Sequence, residues 1–258
     1  MSINFDPLGF YSRQARMREI GSVGQTRLHE FKVAIVGLGG LGSFEALLLA
    51  LAGVGEIRLI DDDIVAVENL HRSPIYTFED IGVRKVYAAG SKLKRLNPEV
   101  KVVSHNQRIM EDETRLLELL RGVDCVLDGL DNFESRRIVN RYCARNGTIY
   151  VYAGVQAFEG NVSVFRTPGT ACLECLVPES GPDLIDFLPR CDSLGVIGTS
   201  VGGVASIAST ECLKLGLGLT SNLFGRLLAI DLRNMDFNVI DIQKNPECPV
   251  CGRGNPHS

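Results

Sequence analysis

The 258-residue sequence lacks several features that would assign it to a class of protein at once. It has no basic excess, since 31 acidic residues outnumber 27 lysines and arginines and leave a net charge of −4. This balance argues against a surface for nucleic acids and against a basic face for membranes. The longest apolar run, FEALLLALAGVG, is shorter than the ~20 residues that a membrane-spanning helix needs. The polar N-terminal segment does not resemble a secretory signal either, so we expect a cytoplasmic protein without a membrane partner.

Internal repeats, low-complexity tracts and linker-like stretches are also missing, which favours one domain over several. In the first half of the chain, apolar runs alternate with helical patterns. KVAIVG, EIRLID, KVVSHN and VDCVLDGL predict buried strands, and the segments between them predict helices. This alternation indicates a doubly wound parallel sheet. After residue 148, two predicted strand pairs flank a long glycine-rich helix, so we expect an α/β fold in which antiparallel strands continue the parallel sheet.

A glycine-rich loop follows the first predicted strand. Gly37, Gly39 and Gly42 have the spacing G-x-G-x-x-G between that strand and the next helix. Glycines there let the backbone approach a phosphate, whose charge is stabilised by the N–H groups at the start of the helix. Asp61 ends the second strand, where a carboxylate can accept both ribose hydroxyls. The stretch therefore predicts a Rossmann-like nucleotide site, which would suit either NAD or ATP.

The polar residues after this loop favour ATP. Asn69, Arg72 and Lys85 follow the ribose carboxylate. An NAD site needs no arginine and lysine here, because its pyrophosphate stays intact. A site that splits a triphosphate must neutralise charge on the reacting phosphorus and on the departing pyrophosphate, and a guanidinium and an ammonium suit that task. Single arginines and lysines are usually surface cations, so the interpretation depends on their order and spacing.

The eight cysteines of a chain without a secretory signal indicate thiols or metal ligands more than disulfides. Half of them form two Cys-x-x-Cys pairs, which together are the ligand set of a tetrahedral zinc site. A redox function is the alternative, but it would leave two unrelated dithiols unexplained. A zinc ion would attach the C-terminal tail to the rest of the chain and, with four thiolates, would have no open position for catalysis. The predicted ligands are Cys172, Cys175, Cys248 and Cys251.

Six features then occur in a fixed order: GLGGLGS, IDDDIVAVENLHR, GVRK, LNP, LDGLDN and the paired Cys-x-x-Cys motifs. This ordered set resembles the ThiF/MoeB/HesA branch of the ubiquitin-activating enzyme superfamily, from about Tyr11 to Cys251. LDNFE and YSRQARM also resemble the activator of the ubiquitin-fold modifier. The resemblance implies a single adenylation domain over residues 1–258. Its parts would be an N-terminal helical arm (1–30), a nucleotide-binding half (31–147) and a substrate-binding and zinc half (148–258).

The resemblance also implies ATP, Mg²⁺ and Zn²⁺ as ligands and gives functions to individual residues. Arg72 and Asp131 match catalytic positions, and Asp131 matches the aspartate that coordinates magnesium. Arg13 matches an arginine that reaches the γ-phosphate of the partner subunit's ATP, so the protein would act as a homodimer. No general base is needed, because the attacking carboxylate is already ionised near neutral pH. The residues implied to bind ATP are Gly37, Gly39, Gly40, Gly42, Asp61, Asp63, Asn69, Arg72, Lys85, Asp131 and Asn132.

The remaining thiols bear on whether a thioester follows adenylation. Cys125, Cys143 and Cys212 have apolar neighbours and fit buried small hydrophobes. Cys191 precedes the glycine-rich helix, and its neighbour Arg190 favours a thiolate. In the family, the crossover loop with the catalytic cysteine lies in this region. The segment between Cys191 and GVIG is shorter than the family usually has, so Cys191 is either the acyl acceptor or an unrelated loop thiol.

We therefore expect an ATP-dependent enzyme that adenylates the C-terminal glycine of a ubiquitin-like or sulfur-carrier protein ending in diglycine. Thioester formation on Cys191 would add a conjugating enzyme as a partner. The alternative is the same chemistry on a non-protein carboxylate, such as tRNA threonylcarbamoyladenosine. An NAD-dependent oxidoreductase would leave Arg72, Lys85 and Asp131 without a function. A non-catalytic scaffold subunit would have lost part of the ATP set, which is intact here.

Overall fold

An eight-stranded sheet forms the centre of the computed structural model, which describes residues 5–179 and 195–252. Its strands match the predicted apolar runs closely, because each run is long enough for one buried strand and ends in a glycine, a polar residue or a turn. The strands are β1 (Lys32–Val36), β2 (Glu56–Ile60), β3 (Lys101–His105), β4 (Cys125–Asp128), β5 (Ile149–Gln156), β6 (Glu159–Phe165), β7 (Arg226–Asp231) and β8 (Asp236–Asp241).

The strand order is β3-β2-β1-β4-β5-β6-β7-β8. Neighbours from β3 to β5 run parallel, and neighbours from β5 to β8 run antiparallel. The predicted α/β fold, with a parallel first half continued by antiparallel strands, is confirmed. Val36 pairs with Ile60 on one side and with Asp128 on the other, so three strands end level with one another. From β1 the chain adds strands outwards to β3 and then returns to place β4 on the other side of β1, so the order of strand addition changes between β1 and β4. Open α/β sheets bind ligands at such a point.

Helices cover both faces of the sheet. One face packs, around a large apolar cluster, against α3 (Gly40–Ala52), α4 (Lys85–Leu96) and α8 (Gly198–Gly216). The other face packs against α5 (Glu113–Leu120), α6 (Phe133–Asn146) and α7 (Leu173–Leu176). Helix α6 ends at Asn146 and is capped by Gly147, which has the left-handed conformation that a residue without Cβ adopts most easily. Among the described residues, no helix combines the length and the apolar character needed to cross a bilayer. Two further helices, α1 (Pro7–Phe10) and α2 (Gly21–Glu30), belong to the N-terminal arm.

The N-terminal arm is less regular than the helical arm expected over residues 1–30. It consists of α1, a 3₁₀ turn at Gln14–Arg16 and α2. Gly21 has a φ of 55°, a left-handed conformation that separates the turn from the helix. The Gln14 side chain donates a hydrogen bond to the carbonyl of Ala52 at 2.7 Å. This contact fixes the arm beside the C-terminal end of α3.

Candidate functional site

A cavity of about 470 Å³ lies at the carboxyl ends of β1, β2 and β4, where the strand order reverses. Its wall contains all but one of the residues that the resemblance implies for ATP. These residues come from four separate stretches of the chain, which the parallel strands bring to one edge of the sheet. They are Gly37, Gly39, Gly40, Asp61, Asp63, Asn69, Arg72, Lys85, Asp131 and Asn132.

Gly42 is the exception, since it does not line the cavity. A Cβ at Gly42 would collide with the carbonyl oxygen of Gly37, so this glycine allows α3 to pack closely beneath the loop. Gly37 has a φ of 86°, and a Cβ there would come within 2.5 Å of the carbonyl oxygen of Gly129. Space is open beside Gly39, and α3 begins at Gly40 with its N-terminus on the cavity wall. The loop therefore presents bare backbone and a helix N-terminus, which suits an anion.

Backbone donors hold the Asp61 carboxylate in place. The N–H of Leu38 donates to one of its oxygens and the N–H of Asp63 to the other, each at 2.7 Å. Burial raises the pKa of Asp61, while the Lys85 ammonium and these two N–H groups oppose the rise. Each oxygen keeps a further lone pair, so the carboxylate can still accept hydrogen bonds from a ligand.

Three cationic or amide side chains complete one wall of the cavity. Lys85 is buried, and its Nζ lies 2.9 Å from a carboxylate oxygen of Asp63. Asn69 accepts a hydrogen bond from the N–H of Ala66 at 3.0 Å. Arg72 donates to the carbonyl of Glu68 at 2.6 Å and is half-buried. The Lys85 charge is paired with the Asp63 carboxylate, whereas Arg72 donates to a neutral carbonyl, so the Arg72 charge beside the glycine loop is not neutralised by that contact.

Asp131 and Asn132 lie in the loop that follows β4. The Asn132 side chain accepts a hydrogen bond from the N–H of Ser135 at 2.9 Å and so caps α6. It also donates to a carboxylate oxygen of Asp131 at 3.2 Å. Asp131 is exposed. An exposed carboxylate beside an anion site is the kind of hard oxygen ligand that Mg²⁺ prefers when it shares phosphate oxygens.

A buried ion pair supports this loop from below. The Nε of Arg136 lies 3.1 Å from a carboxylate oxygen of Asp128, and both side chains are buried. Burial raises the pKa of Asp128, whereas the Arg136 charge lowers it. Arg136 also donates to the carbonyl of Leu130 at 2.6 Å and to that of Ala153 at 3.0 Å. One side chain thus links the loop that carries Asp131 to strand β5.

Several residues of the cavity wall were not predicted from the sequence. Gln107, Arg108 and Ile109 follow β3, and they belong to no motif. The sequence feature that could have identified them is their position directly after a predicted parallel strand, because all parallel strands of a sheet end at the same edge. The second half of the chain adds the apolar side chains Val155, Val196 and Val201.

Two predicted catalytic residues are not part of this cavity as described. Arg13 is exposed at the start of the 3₁₀ turn Gln14–Arg16 and does not line the wall. Cys191 lies outside the described residues, so its prediction stays untested. The thiols of Cys125, Cys143 and Cys212 are buried, as their apolar neighbours predicted.

The four paired cysteines form a cluster away from the cavity. Their sulfur atoms all lie within 4.8 Å of one another. The Cys172 and Cys248 sulfurs are 3.7 Å apart, and those of Cys175 and Cys251 are 3.4 Å apart. A hydrogen bond from Cys172 lowers the pKa of the Cys175 thiol. Four converging thiols fit the donor set of a structural zinc ion.

Comparison with known proteins agrees with this geometry. The model of the ThiF family matches residues 11–250. A SAMP-activating enzyme E1 from Haloferax volcanii is 37% identical over 258 residues, which cover 100% of this chain and 94% of that protein. A sulfur carrier protein adenylyltransferase from Thermus thermophilus is 37% identical over 252 residues, covering 96% and 92%. A crystal structure of E. coli MccB with ATP shares the fold with a TM-score of 0.80, at 24% identity over 94% of this chain and 74% of that one.

Proposed function

The chain belongs to the ThiF family, and on that premise we propose that it is an ATP-dependent adenylyltransferase. Its substrate would be the C-terminal glycine carboxylate of a ubiquitin-like or sulfur-carrier protein. The observation that carries the proposal is the single cavity that gathers the glycine loop, Asp61, Arg72, Lys85 and Asp131. The names of its relatives from Haloferax volcanii and Thermus thermophilus support a protein substrate of this kind.

The reaction follows from the charges in the cavity. A carboxylate oxygen of the substrate attacks the α-phosphorus, the bond to the β-phosphate oxygen breaks, and pyrophosphate leaves with the electron pair. No proton is transferred in this step, because the attacking carboxylate is already ionised, so the reaction needs no general base. Arg72 and Lys85 stabilise the negative charge that spreads over the reacting and departing phosphates. Asp61 holds the ribose, and the N-terminus of α3 holds phosphate oxygens.

Asp131 would hold a Mg²⁺ ion, which supplies further charge neutralisation between the phosphates. Asn132 keeps the Asp131 carboxylate oriented through its hydrogen bond. The cysteine cluster would hold a structural zinc ion. We also propose that residues 1–258 act as one adenylation domain and that the protein works as a homodimer, in which each subunit supplies Arg13 to its partner's cavity. If Cys191 accepts the acyl group, a thioester forms after adenylation, and a conjugating enzyme would then be a partner.

The test is ATP–pyrophosphate exchange with small proteins that end in diglycine, each added alone. Arg72→Ala and Asp131→Ala should each lose exchange by ~100-fold or more, because each removes a charge that acts on the reacting phosphates. Arg233→Ala and Asp236→Ala change exposed residues of the β7–β8 hairpin and serve as matched controls. Full exchange in both Arg72→Ala and Asp131→Ala would contradict the proposal.

The same assay separates the alternative substrates. Exchange with one protein identifies the acceptor of the adenylate. Exchange with none of the proteins, but with tRNA that carries threonylcarbamoyladenosine, would assign the cavity to a non-protein carboxylate. A non-reducing gel of the reaction mixture would reveal a thioester and test Cys191.

A further inference from the structure

Arg72 lies between two cavities. It lines the nucleotide cavity and also a second cavity of about 600 Å³, of which His71 forms part of the wall. His71 is not among the residues that line the nucleotide cavity. Its backbone packs against the start of α8, since a Cβ at Gly198 would come within 2.7 Å of the His71 carbonyl oxygen. A backbone held in this way places the His71 ring beside Arg72.

One terminal nitrogen of Arg72, Nη1, is fully engaged. It donates to the carbonyl of Glu68 at 2.6 Å and lies 2.9 Å from Nε2 of His71. Nη1 carries two hydrogens, so these two acceptors use both of them. Among the described residues, Nε and Nη2 of Arg72 have no hydrogen-bond partner. That edge of the guanidinium is a planar pair of donors, which is the arrangement that binds a phosphate in a bidentate manner.

The contact with Arg72 also determines the state of the His71 ring. A guanidinium has only N–H donors, so Nε2 of His71 must supply the lone pair that accepts the hydrogen bond. The ring is then neutral and carries its hydrogen on Nδ1. The role of His71 in this contact is therefore that of a neutral acceptor, which a side chain of another chemical class can either reproduce or lack.

We propose that His71 is a positioning residue of the adenylation site, which holds Arg72 by Nη1 so that the edge formed by Nε and Nη2 can bind a phosphate. The carbonyl of Glu68 holds one hydrogen of Nη1, and Nε2 of His71 holds the other. Two acceptors on one nitrogen restrain the rotation of the guanidinium plane. The inference rests on the proposed function, since it assumes that the phosphates of ATP lie beside Arg72.

A double-mutant cycle between His71 and Arg72 tests this arrangement. Titration calorimetry measures the affinity for ATP in the presence of Mg²⁺ and without any acyl substrate. His71→Phe should weaken ATP binding by ~3–10-fold, the factor that one net hydrogen bond contributes. In the Arg72→Ala background the same substitution should change the affinity by less than ~2-fold, because no guanidinium is left to hold.

Three single variants support the cycle. His71→Gln keeps an acceptor oxygen at about the position of Nε2, so it should keep the wild-type affinity. His71→Ala removes the ring without adding bulk and should behave as His71→Phe, which covers the case in which circular dichroism shows that His71→Phe does not fold. His29→Phe makes the same substitution at another exposed histidine, in α2, and should bind ATP as the wild type does.

Nitrogen-15 NMR of histidine-labelled protein tests the contact itself, without a nucleotide. The neutral His71 ring should carry its proton on Nδ1, and the signal that is missing in His71→Gln identifies the residue. In Arg72→Ala the preference for Nδ1 should weaken, because the donor that occupies Nε2 is gone. A residue with a purely structural role would not change its tautomer in this variant.

The outcomes distinguish this inference from the proposed function. The inference is overturned by unchanged ATP affinity in a folded His71→Phe or His71→Ala, by a loss that persists in the Arg72→Ala background, by a His71→Gln protein that binds as weakly as His71→Phe, or by a proton on Nε2. Coupling between His71 and Arg72 without pyrophosphate exchange would support His71 and reject adenylation. Exchange without such coupling would do the reverse. A wild-type protein that does not bind ATP would overturn both.

Discussion

Glu45 lies in α3 with its side chain fully buried, and neither carboxylate oxygen has a hydrogen-bond partner among the described residues. Burial, together with the nearby charge of Asp128, raises the pKa of Glu45 well above its ordinary value of 4.5. The folded protein therefore favours the neutral form of this carboxyl. Its two oxygens remain unsatisfied in an otherwise apolar layer, so it is expected to weaken the fold.

Replacing Glu45 with leucine should stabilise the protein, and more so at higher pH. The folded pKa lies above the unfolded one, so the contribution of the neutral carboxyl is fully present below pH 4.5 and is lost as the pH rises towards the folded pKa. Leucine does not titrate. We expect Glu45→Leu to gain ~1–3 kcal/mol in the free energy of unfolding at pH 8 and clearly less at pH 5. Urea unfolding at both pH values checks this.

Glu45→Gln is the matched control for that prediction. It keeps the shape and the polar group but does not titrate. Its difference from Glu45→Leu should therefore be the same at pH 5 and pH 8, while the wild type diverges from both as the pH rises. A gain for Glu45→Leu that does not change with pH would show that the carboxyl is not neutral in the folded state.

At the level of helices and strands, local patterns predicted most of the fold. Strands β1 and β2 lie within a residue of the predicted runs KVAIVG and EIRLID, because an apolar run that ends in a glycine or a polar residue marks each strand within the chain itself. The N-terminal arm was predicted as a longer helical pattern. The structure interrupts that pattern at Gly21, whose φ of 55° separates the 3₁₀ turn from α2. A spacing of charged and apolar residues does not by itself show where a helix is interrupted.

The difference between local patterns and tertiary contacts also decides which residues of the cavity could be predicted. That Asp61, Arg72 and Lys85 lie on one cavity wall could be expected because they belong to an ordered set of motifs, while their functions stay predictions. Gln107 and the buried Arg136 were not, since an isolated glutamine or a helical arginine usually lies at the surface. Their environment comes from strands that are far away in sequence: Arg136, for example, bonds to the carbonyl of Ala153 on β5. Tertiary contacts of this kind carry no local sequence signal.

The C-terminal segment should depend on zinc. Strand β8 is exposed along its length, and beyond it the tail rests on a small cluster around Cys172, Cys248 and Cys251. So small a core is insufficient to hold a segment without a metal ion. We expect the double variant Cys248→Ser/Cys251→Ser to lose zinc and to become sensitive to proteolysis after residue 242. Its affinity for ATP should change little, because the cluster does not line the cavity.

Native mass spectrometry before and after the substitutions measures the bound zinc directly. Cys143→Ala removes a buried thiol outside the cluster and should keep the metal. Two disulfides in place of zinc in the wild-type protein would support the redox alternative instead. A double variant that still binds zinc would show that the ligands have been misassigned.

For the whole molecule, the position of Arg13 decides between a monomer and a dimer as the active form. The arm is fixed at Ala52, whereas the cavity lies at the other end of α3, which has 13 residues. Such a helix is ~20 Å long, which exceeds the reach of an arginine side chain. The arm also exposes the apolar side chains of Leu8, Met17 and Val23. Exposed apolar patches often mark protein–protein interfaces, so a second chain is the expected cover.

Mixing two inactive variants tests this arrangement. If Arg13 acts in trans, Arg13→Ala and Asp131→Ala should each be inactive alone, yet a mixed dimer contains one site with both residues intact. Random pairing in a symmetric dimer would then restore about one quarter of wild-type exchange. Arg16→Ala, which alters another exposed arginine of the arm, should be active alone and shows that the arm tolerates substitution. If co-expressed Arg13→Ala and Asp131→Ala chains stay inactive although they form dimers, Arg13 does not complete the partner's site.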